Sequence, residues 1–296
     1  MSSRVRRDTA RGFWFVLPAV AVIALVTFFP IARTFILSLY KYNLKFPSMK
    51  AFVGINNYVN LFQNQDFLNS LTVTASFTVV AVSIEAVAGL LIALLINKDF
   101  KGRGMVRAFT LIPWAIPTVA SAQMWRLMYS DQFGVINDIA KKTGLVQEYV
   151  NIIGRQPQAF WAMVCADAWK TIPFMALLLL AGLQTIPPQL YEAARVDGAN
   201  KWKQFWAITL PMLKPTLLVA LIFRTLDTFK AFDIAISLTN GGPASSTELL
   251  SLYNYKVMMN QLNFGMGATI SIVIFIFTML IAFLFIKVLG ANPYGK

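Results

Sequence analysis

Two kinds of chemically active side chain are nearly missing from this sequence of 296 residues. It contains no histidine and one cysteine, Cys165. The absence of histidine excludes His-based acid–base catalysis and Ser-His triads, and it removes most zinc and haem ligation. A single cysteine excludes an internal disulfide and a thiolate metal cluster. We therefore expect no catalytic residue, no metal site and no cofactor held by this chain.

Charged residues are also scarce. They form 13% of the chain, compared with about 25% in a typical soluble domain. Apolar residues make up 57%, with 24 Phe and 7 Trp, and the mean hydropathy is +0.61. Water would not tolerate so much apolar surface on exposed faces. The composition therefore predicts an integral membrane protein.

Six segments are long and apolar enough to cross a hydrocarbon core about 30 Å thick, which takes roughly 20 helical residues. The first follows four arginines, but its apolar run is too long for a signal peptide, so we expect a retained anchor. We predict an all-α polytopic transmembrane helix bundle and treat residues 1–296 as one domain. The predicted spans are 13–40, 68–96, 108–129, 159–183, 213–238 and 265–289.

Lys and Arg are distributed unevenly between alternate loops. The two termini and the loops after the second and fourth spans carry 14 of them, whereas the loops near 41–67, 130–158 and 239–264 carry 7. Basic loops stay in the cytoplasm, beside a negatively charged leaflet. Both termini are therefore predicted to be cytoplasmic. The same rule explains the net charge of +13 without nucleic-acid binding.

The fifth predicted span contains four ionisable residues at steps of three, Arg224, Asp227, Lys230 and Asp233. At about 2.5–3.5 kcal/mol each, four such charges would cost on the order of 10 kcal/mol, so this helix cannot face lipid. The charges either form internal ion pairs along the helix that hold the bundle together, or border a water-filled path and bind a polar solute. We favour the path, because intramembrane ionisable groups more often mark one.

The fourth span repeats this pattern with Asp167 and Lys170, followed by Thr171 and Phe174. Carboxylates accept hydrogen bonds from sugar hydroxyls, ammonium groups donate them, and an aromatic ring stacks on the apolar face of a sugar. Together these residues suit a neutral polyhydroxylated ligand. Glu85 is a lone charge in the second span, and we expect it to have a structural partner.

The loop at 187–214 between the fourth and fifth spans has signals for two short helices. Pro188 suits a first helical turn, Gly198 a helix stop and Asn200 an N-cap, and Pro211 is expected to end the second helix. The result would be a helix–turn–helix at the membrane surface. By physical reasoning alone, a simple interfacial linker is the preferred interpretation.

The order of residues in this loop is distinctive. It reads Glu192-Ala193-Ala194, then Asp197-Gly198-Ala199, Phe205, Ile208, Leu210-Pro211 and Pro215. This pattern closely resembles the EAA loop of the membrane subunits of ATP-driven, binding-protein-dependent (ABC) importers. Two other stretches resemble the sugar-permease branch, of trehalose/maltose type. They are Ala168–Met175 and Leu238–Pro243 with Thr247-Glu248.

The resemblance implies the type I ABC importer permease fold and two sets of functional residues. The first set would form the coupling helix that docks in a cleft of the ATPase: Glu192, Ala193, Ala194, Asp197 and Gly198. The second set would bind substrate midway across the membrane: Asp167, Lys170, Thr171, Phe174, Arg224, Asp227, Thr228 and Ala231.

The resemblance also implies partners. They are a second homologous permease subunit, two ATPase subunits that bind ATP and Mg²⁺, and an extracytoplasmic sugar-binding protein, in a bacterial or archaeal cytoplasmic membrane. The expected substrate is a disaccharide such as trehalose or maltose. A monosaccharide or glycerol-phosphate stays open, since Lys170 and Arg224 would serve an anion if Asp167 and Asp227 pointed elsewhere.

Two alternatives of other classes also stay open. A gradient-driven secondary transporter would use the buried charges as an ion relay, and a receptor-like interaction protein would have no open path.

Overall fold

The computed structural model describes the backbone of residues 3–289 and the side chains of residues 15–287, and in that part the chain is mostly helical. A short antiparallel hairpin, β1 (Tyr40–Lys41) with β2 (Ala51–Phe52), pairs Tyr40 with Phe52. The described helices are α1 Ser3–Ser38, α2 Asn56–Gln63, α3 Gln65–Asn97, α4 Arg103–Thr110, α5 Ile112–Ala115, α6 Thr118–Met128, α7 Val135–Lys142, α8 Gln158–Leu183, α9 Pro188–Val196, α10 Lys201–Phe229, α11 Asp233–Leu238, α12 Leu250–Tyr255 and α13 Phe264–Leu289.

Within residues 3–289, five helices are long and apolar enough to cross a membrane, namely α1, α3, α8, α10 and α13. A sixth span results if α4–α5 and α6, which meet at a bend of 89°, are counted as one. The bend falls at Pro117, which caps α6 and has no backbone N–H to continue a helix. Large apolar side chains are exposed, such as Phe283 at 62% and Ile286 at 61% on α13, as lipid contact requires.

The fifth span differs from its prediction at both ends. Pro211 does not end a helix, because α10 runs from Lys201 through Pro211 to Phe229. A π-helical turn at Phe205–Thr209 precedes Pro211, so that proline lies at the start of a new α-helical segment, where its missing N–H costs least. At the other end the helix stops at Phe229, and α11 begins after three non-helical residues.

The chain divides into two compact units. The smaller comprises the chain up to Asn64 together with Asn254–Phe275. In it, the Asn57 side-chain amide donates a hydrogen bond to the carbonyl of Tyr40 at 2.9 Å. A Cβ at Gly265 would lie 2.2 Å from the same carbonyl oxygen, so only glycine permits this close approach.

The larger unit comprises Gln65–Tyr253 and the end of α13. Small residues let its three central helices pack closely. A Cβ at Gly89 of α3 would lie 2.6 Å from Cγ of Met175 on α8, and a Cβ at Gly182 of α8 would lie 2.6 Å from Oγ1 of Thr216 on α10. Helix α8 is therefore held against α3 and α10, and the ionisable residues of all three helices meet.

Candidate functional site

Arg224, near the end of α10, lies at the centre of a buried charge cluster. Its Nε and Nη2 atoms donate to the two carboxylate oxygens of Glu85 on α3, at 2.6 and 2.9 Å. Its Nη1 donates to Asp227 at 2.6 Å, and Nη2 reaches Asp167 on α8 at 3.4 Å. The side chains of Arg224 and Glu85 are 5% and 0% exposed. One guanidinium charge therefore faces three carboxylates from three helices.

Two threonines complete the polar network. The Thr171 hydroxyl lies 2.8 Å from Oε1 of Glu85 and 2.7 Å from the main-chain oxygen of Asp167. Arg224 Nη2 donates to the Thr228 hydroxyl at 3.0 Å. Both oxygens of Glu85 are therefore occupied by protein donors, and Arg224 is the structural partner expected for this residue from the sequence.

A cavity of about 340 Å³ lies beside the cluster. Asp227, whose side chain is 76% exposed, offers acceptors toward this space, whereas the Asp167 side chain is only 10% exposed. Seven of the eight predicted substrate residues line the cavity. The lining residues are Thr118, Asp167, Lys170, Thr171, Arg224, Asp227, Thr228, Lys230, Ala231, Phe232, Asp233 and Ile234.

The break between α10 and α11 forms part of the cavity wall. Residues 230–232 are not helical, and all three line the cavity. The N–H of Ala231 still bonds to the carbonyl of Thr228 at 3.1 Å. Non-helical backbone at membrane depth is tolerated only where it is buried in protein or lines a water-filled cavity. The interrupted helix therefore supports a hydrated space here, as discontinuous helices do at transporter binding sites.

Phe174 is the predicted substrate residue that does not line the cavity. Its ring stacks on Trp114, with 5.5 Å between ring centroids and 17° between planes. Its role as a platform for a sugar ring stays a prediction. Of the ion pairs possible along this helix, Arg224–Asp227 forms, whereas none between Asp227 and Lys230 occurs among the described residues. Asp227 is engaged by Arg224 instead, and the helix ends before Lys230.

Several residues of the site were not among the predicted substrate residues. Thr118 directly follows the proline bend of the third span, which is the sequence signal that could have found it. Lys230 and Asp233 were recognised as charges within the fifth span but were not assigned to the site. The additional residues are Glu85, Thr118, Lys230, Phe232, Asp233 and Ile234.

Helix α9 carries the predicted coupling residues. Glu192, Ala193, Asp197 and Gly198 are exposed, and Ala194 is partly buried. The helix ends in a Schellman motif, in which Ala199 N–H bonds to Ala194 O at 2.8 Å and Gly198 N–H to Arg195 O at 3.1 Å. Gly198 has a φ of +74°, which a side chain would disfavour. The predicted stop at Gly198 is confirmed.

An N-cap bond begins α10, and a hydrogen bond between side chains joins α10 to α9. The Asn200 side chain accepts from the N–H of Lys203 at 2.8 Å, which confirms the predicted N-cap. The Tyr191 hydroxyl of α9 lies 3.0 Å from the Thr209 hydroxyl in the π-helical turn of α10. The exposed helix is therefore attached to the same helix that carries Arg224.

The segment between α6 and α8 is held by its own polar contacts. Asn137, 1% exposed, donates to the carbonyls of Ser130 at 2.9 Å and Val150 at 3.0 Å, and accepts from the N–H of Val150. Asp138 accepts from the Tyr149 hydroxyl, and this bond holds the pKa of Asp138 below its usual value. These contacts join distant parts of the segment, which is predicted to be external, to one another.

A polar cavity lined by a broken span, within a chain of several apolar helices, defines a multi-pass membrane transport subunit. Residues 85–291 match the family described as "Binding-protein-dependent transport system inner membrane component". The chain belongs to this family. The family assignment also confirms that this is a permease subunit and not an enzyme.

Full-length relatives and a solved structure agree with this assignment. The chain is 44% identical over 284 residues to the trehalose/maltose transport system permease protein MalF of Thermococcus litoralis, covering 95% of this chain and 94% of that protein. It is 38% identical over 284 residues to the trehalose transport system permease protein SugA of Mycobacterium tuberculosis, covering 96% and 90%.

A bacterial alginate ABC transporter, solved in complex with an alginate pentasaccharide-bound periplasmic protein, aligns with a TM-score of 0.81 at 22% identity. The alignment covers 95% of this chain and 94% of that one. This likeness shows the ABC importer permease fold.

Proposed function

We propose that this chain is the permease subunit of an ATP-driven importer for a neutral sugar, a disaccharide such as trehalose or maltose. The observation that carries the proposal is the cavity beside Arg224. The guanidinium is engaged by carboxylates, while Asp227, Lys170 and the lining hydroxyls offer donors and acceptors without a dominant positive charge. Such a surface suits the many hydroxyls of a sugar.

The glycerol-phosphate alternative requires Asp167 and Asp227 to point away from the basic residues. Both instead contact Arg224, at 3.4 and 2.6 Å, so a neutral ligand is favoured. The names of two relatives, trehalose/maltose and trehalose permeases, favour a disaccharide over a monosaccharide. A gradient-driven transporter would need no binding protein, so membership of a binding-protein-dependent family argues against it.

In this proposal residues 1–296 work as one permease domain with six spans, α4–α6 forming the bent third span, and both termini are cytoplasmic. Glu85 lies about 18 Å of helical rise from the end of α3 at Asn97, which supports a position of the cluster near the middle of the bilayer. A second homologous permease supplies the other half of the path, and a sugar-binding protein delivers substrate outside the cytoplasmic membrane of a bacterium or archaeon.

The proposed mechanism is alternating access driven through α9. Glu192, Ala193, Ala194, Asp197 and Gly198 dock on one of two ATPase subunits, which hold ATP and Mg²⁺. Closure of the ATPase pair draws the coupling helices together and opens the cavity outward. Hydrolysis then resets it. The bond between Tyr191 and Thr209 passes the movement of α9 to α10.

The test is ATP-dependent uptake by the complete importer in proteoliposomes, with labelled trehalose, maltose and glycerol-phosphate offered separately. Thr228→Val and Thr225→Val form a matched pair on α10, because Thr228 lines the polar cavity and Thr225 lines an apolar pocket elsewhere. We expect trehalose or maltose uptake that Thr228→Val lowers and Thr225→Val leaves unchanged. Uptake of glycerol-phosphate alone, or uptake without the ATPase, would overturn the proposal.

A further inference from the structure

The pairing of Arg224 with Glu85 uses a particular edge of the guanidinium. An arginine offers five N–H donors, and it recognises carboxylate or phosphate most strongly through two parallel hydrogen bonds. Here Nε and Nη2, the two donors of one edge, both bond to Glu85. The second Nη2 hydrogen is directed to Thr228 and Asp167, and one Nη1 hydrogen goes to Asp227.

One Nη1 hydrogen is then left without an acceptor among residues 15–287, although Arg224 lines the cavity. A sugar hydroxyl needs a single donor, so this hydrogen can serve it. A phosphate or carboxylate binds best to a pair of donors, but Glu85 occupies the Nε/Nη2 pair. The Nη1/Nη2 pair is engaged by Asp227, Asp167 and Thr228. The geometry thus provides one neutral hydrogen-bonding point and blocks the strong mode of anion binding.

The surrounding charges act in the same direction. The cluster and cavity hold four carboxylates against three cations, a formal net charge of −1. The carboxylates are Glu85, Asp167, Asp227 and Asp233, and the cations are Lys170, Arg224 and Lys230. An anionic ligand that enters the cavity would therefore meet no excess of positive charge. Like charges repel each other strongly where the dielectric constant is low.

Glu85 itself does not line the cavity, and its side chain is fully buried. We infer that Glu85 is a positioning residue that sets the preference of this site for neutral over anionic sugars, by occupying the anion-binding edge of Arg224. This inference rests on the proposed sugar-binding function of the cavity. It predicts that neutralising Glu85 weakens its hold on Arg224, so that the guanidinium can turn toward the cavity and pair with an anionic sugar.

The experiment measures direct binding of trehalose and of trehalose 6-phosphate to the purified complex of both permeases and the ATPase, without the binding protein, whose own selectivity would mask the effect. Glu85→Gln should lower the preference for trehalose over trehalose 6-phosphate, taken as the ratio of the two affinities, by about tenfold or more. A freed charge-assisted pair of hydrogen bonds is worth that much. Adding Arg224→Met to Glu85→Gln should remove the gain in phosphate binding.

Glu148→Gln is the matched control, an exposed glutamate outside the cavity, and should leave the preference unchanged. If Glu85→Gln binds trehalose with an unaltered preference, the inference is wrong and the proposed function stands. If the wild-type complex binds neither compound, the proposed function fails as well. Should the Gln variant not assemble, Glu85→Asp decides, because it withdraws the carboxylate from Nε and Nη2. An unchanged preference in that variant would overturn the inference.

Discussion

Removing the positive charge of Arg224 is the sharpest test of the cluster's structural role. Arg224→Met leaves Glu85, with 0% of its side chain exposed, as an uncompensated buried carboxylate. Breaking a buried pair in this way costs about 3–5 kcal/mol. At about 2–4 °C per kcal/mol for chains of 150–250 residues, the melting temperature should fall by roughly 6–20 °C. Melting is followed by size-exclusion chromatography of the heated complex in detergent.

The double variant Glu85→Leu with Arg224→Met separates this explanation from simple loss of packing. It removes both charges, and an apolar replacement of a buried pair is often nearly neutral. We expect at least half of the lost stability to return. Asp227 can turn to solvent, but Asp167, at 10% exposure, keeps part of the penalty. Arg126→Met, an exposed arginine on α6, should change stability by less than about 0.5 kcal/mol. Additive losses in the double variant would refute the reasoning.

Four further predictions concern helix α9 and the segment between α6 and α8. Glu192→Lys reverses an exposed charge on α9 and should abolish co-purification of the ATPase while trehalose binding to the permeases persists. Gly198→Val forces a side chain into a φ of +74° at a cost of about 1–2 kcal/mol, and should reduce ATPase stimulation while lowering the melting temperature by no more than about 2–8 °C. Asn137→Ala should speed hydrogen exchange at the amide of Val150. The Tyr149 bond lowers the pKa of Asp138, so its contribution is complete above about pH 4 and is lost as pH falls further; Asp138→Asn should remove that dependence of local hydrogen exchange.

Much of the candidate site could be predicted from the sequence because charges within apolar segments have few physical explanations. Asp167, Lys170, Arg224 and Asp227 were identified as ionisable residues that lipid would not accept, and the structure places all four at one cavity. The partner of Glu85 was not predictable in the same way. Pairing between helices depends on how closely they pack, and nothing near Glu85 in the sequence specifies that distance.

Helix ends inside the membrane were the weakest part of the prediction. Hydropathy alone cannot distinguish one long span from two helical pieces, because largely apolar residues lie on both sides of the charged stretch 224–233 that contains the break. Pro211 was misread for a related reason. A proline usually ends a helix, but a π-helical turn just before it moves the proline to the start of a new segment, and no simple residue pattern announces such a turn.

The position of that π-helical turn bears on how α10 could connect its two ends. Thr209, which is bonded to Tyr191 of α9, is separated from Arg224 by about 22 Å of helical rise. A regular helix transmits displacement along its axis, whereas a π-helical turn and a non-helical break are the places where it can shorten, lengthen or bend. Both lie at the ends of the rigid stretch, one beside α9 and the other beside the cavity. A displacement of α9 that is not absorbed at Phe205–Thr209 must therefore be taken up at residues 230–232, where the backbone itself lines the cavity.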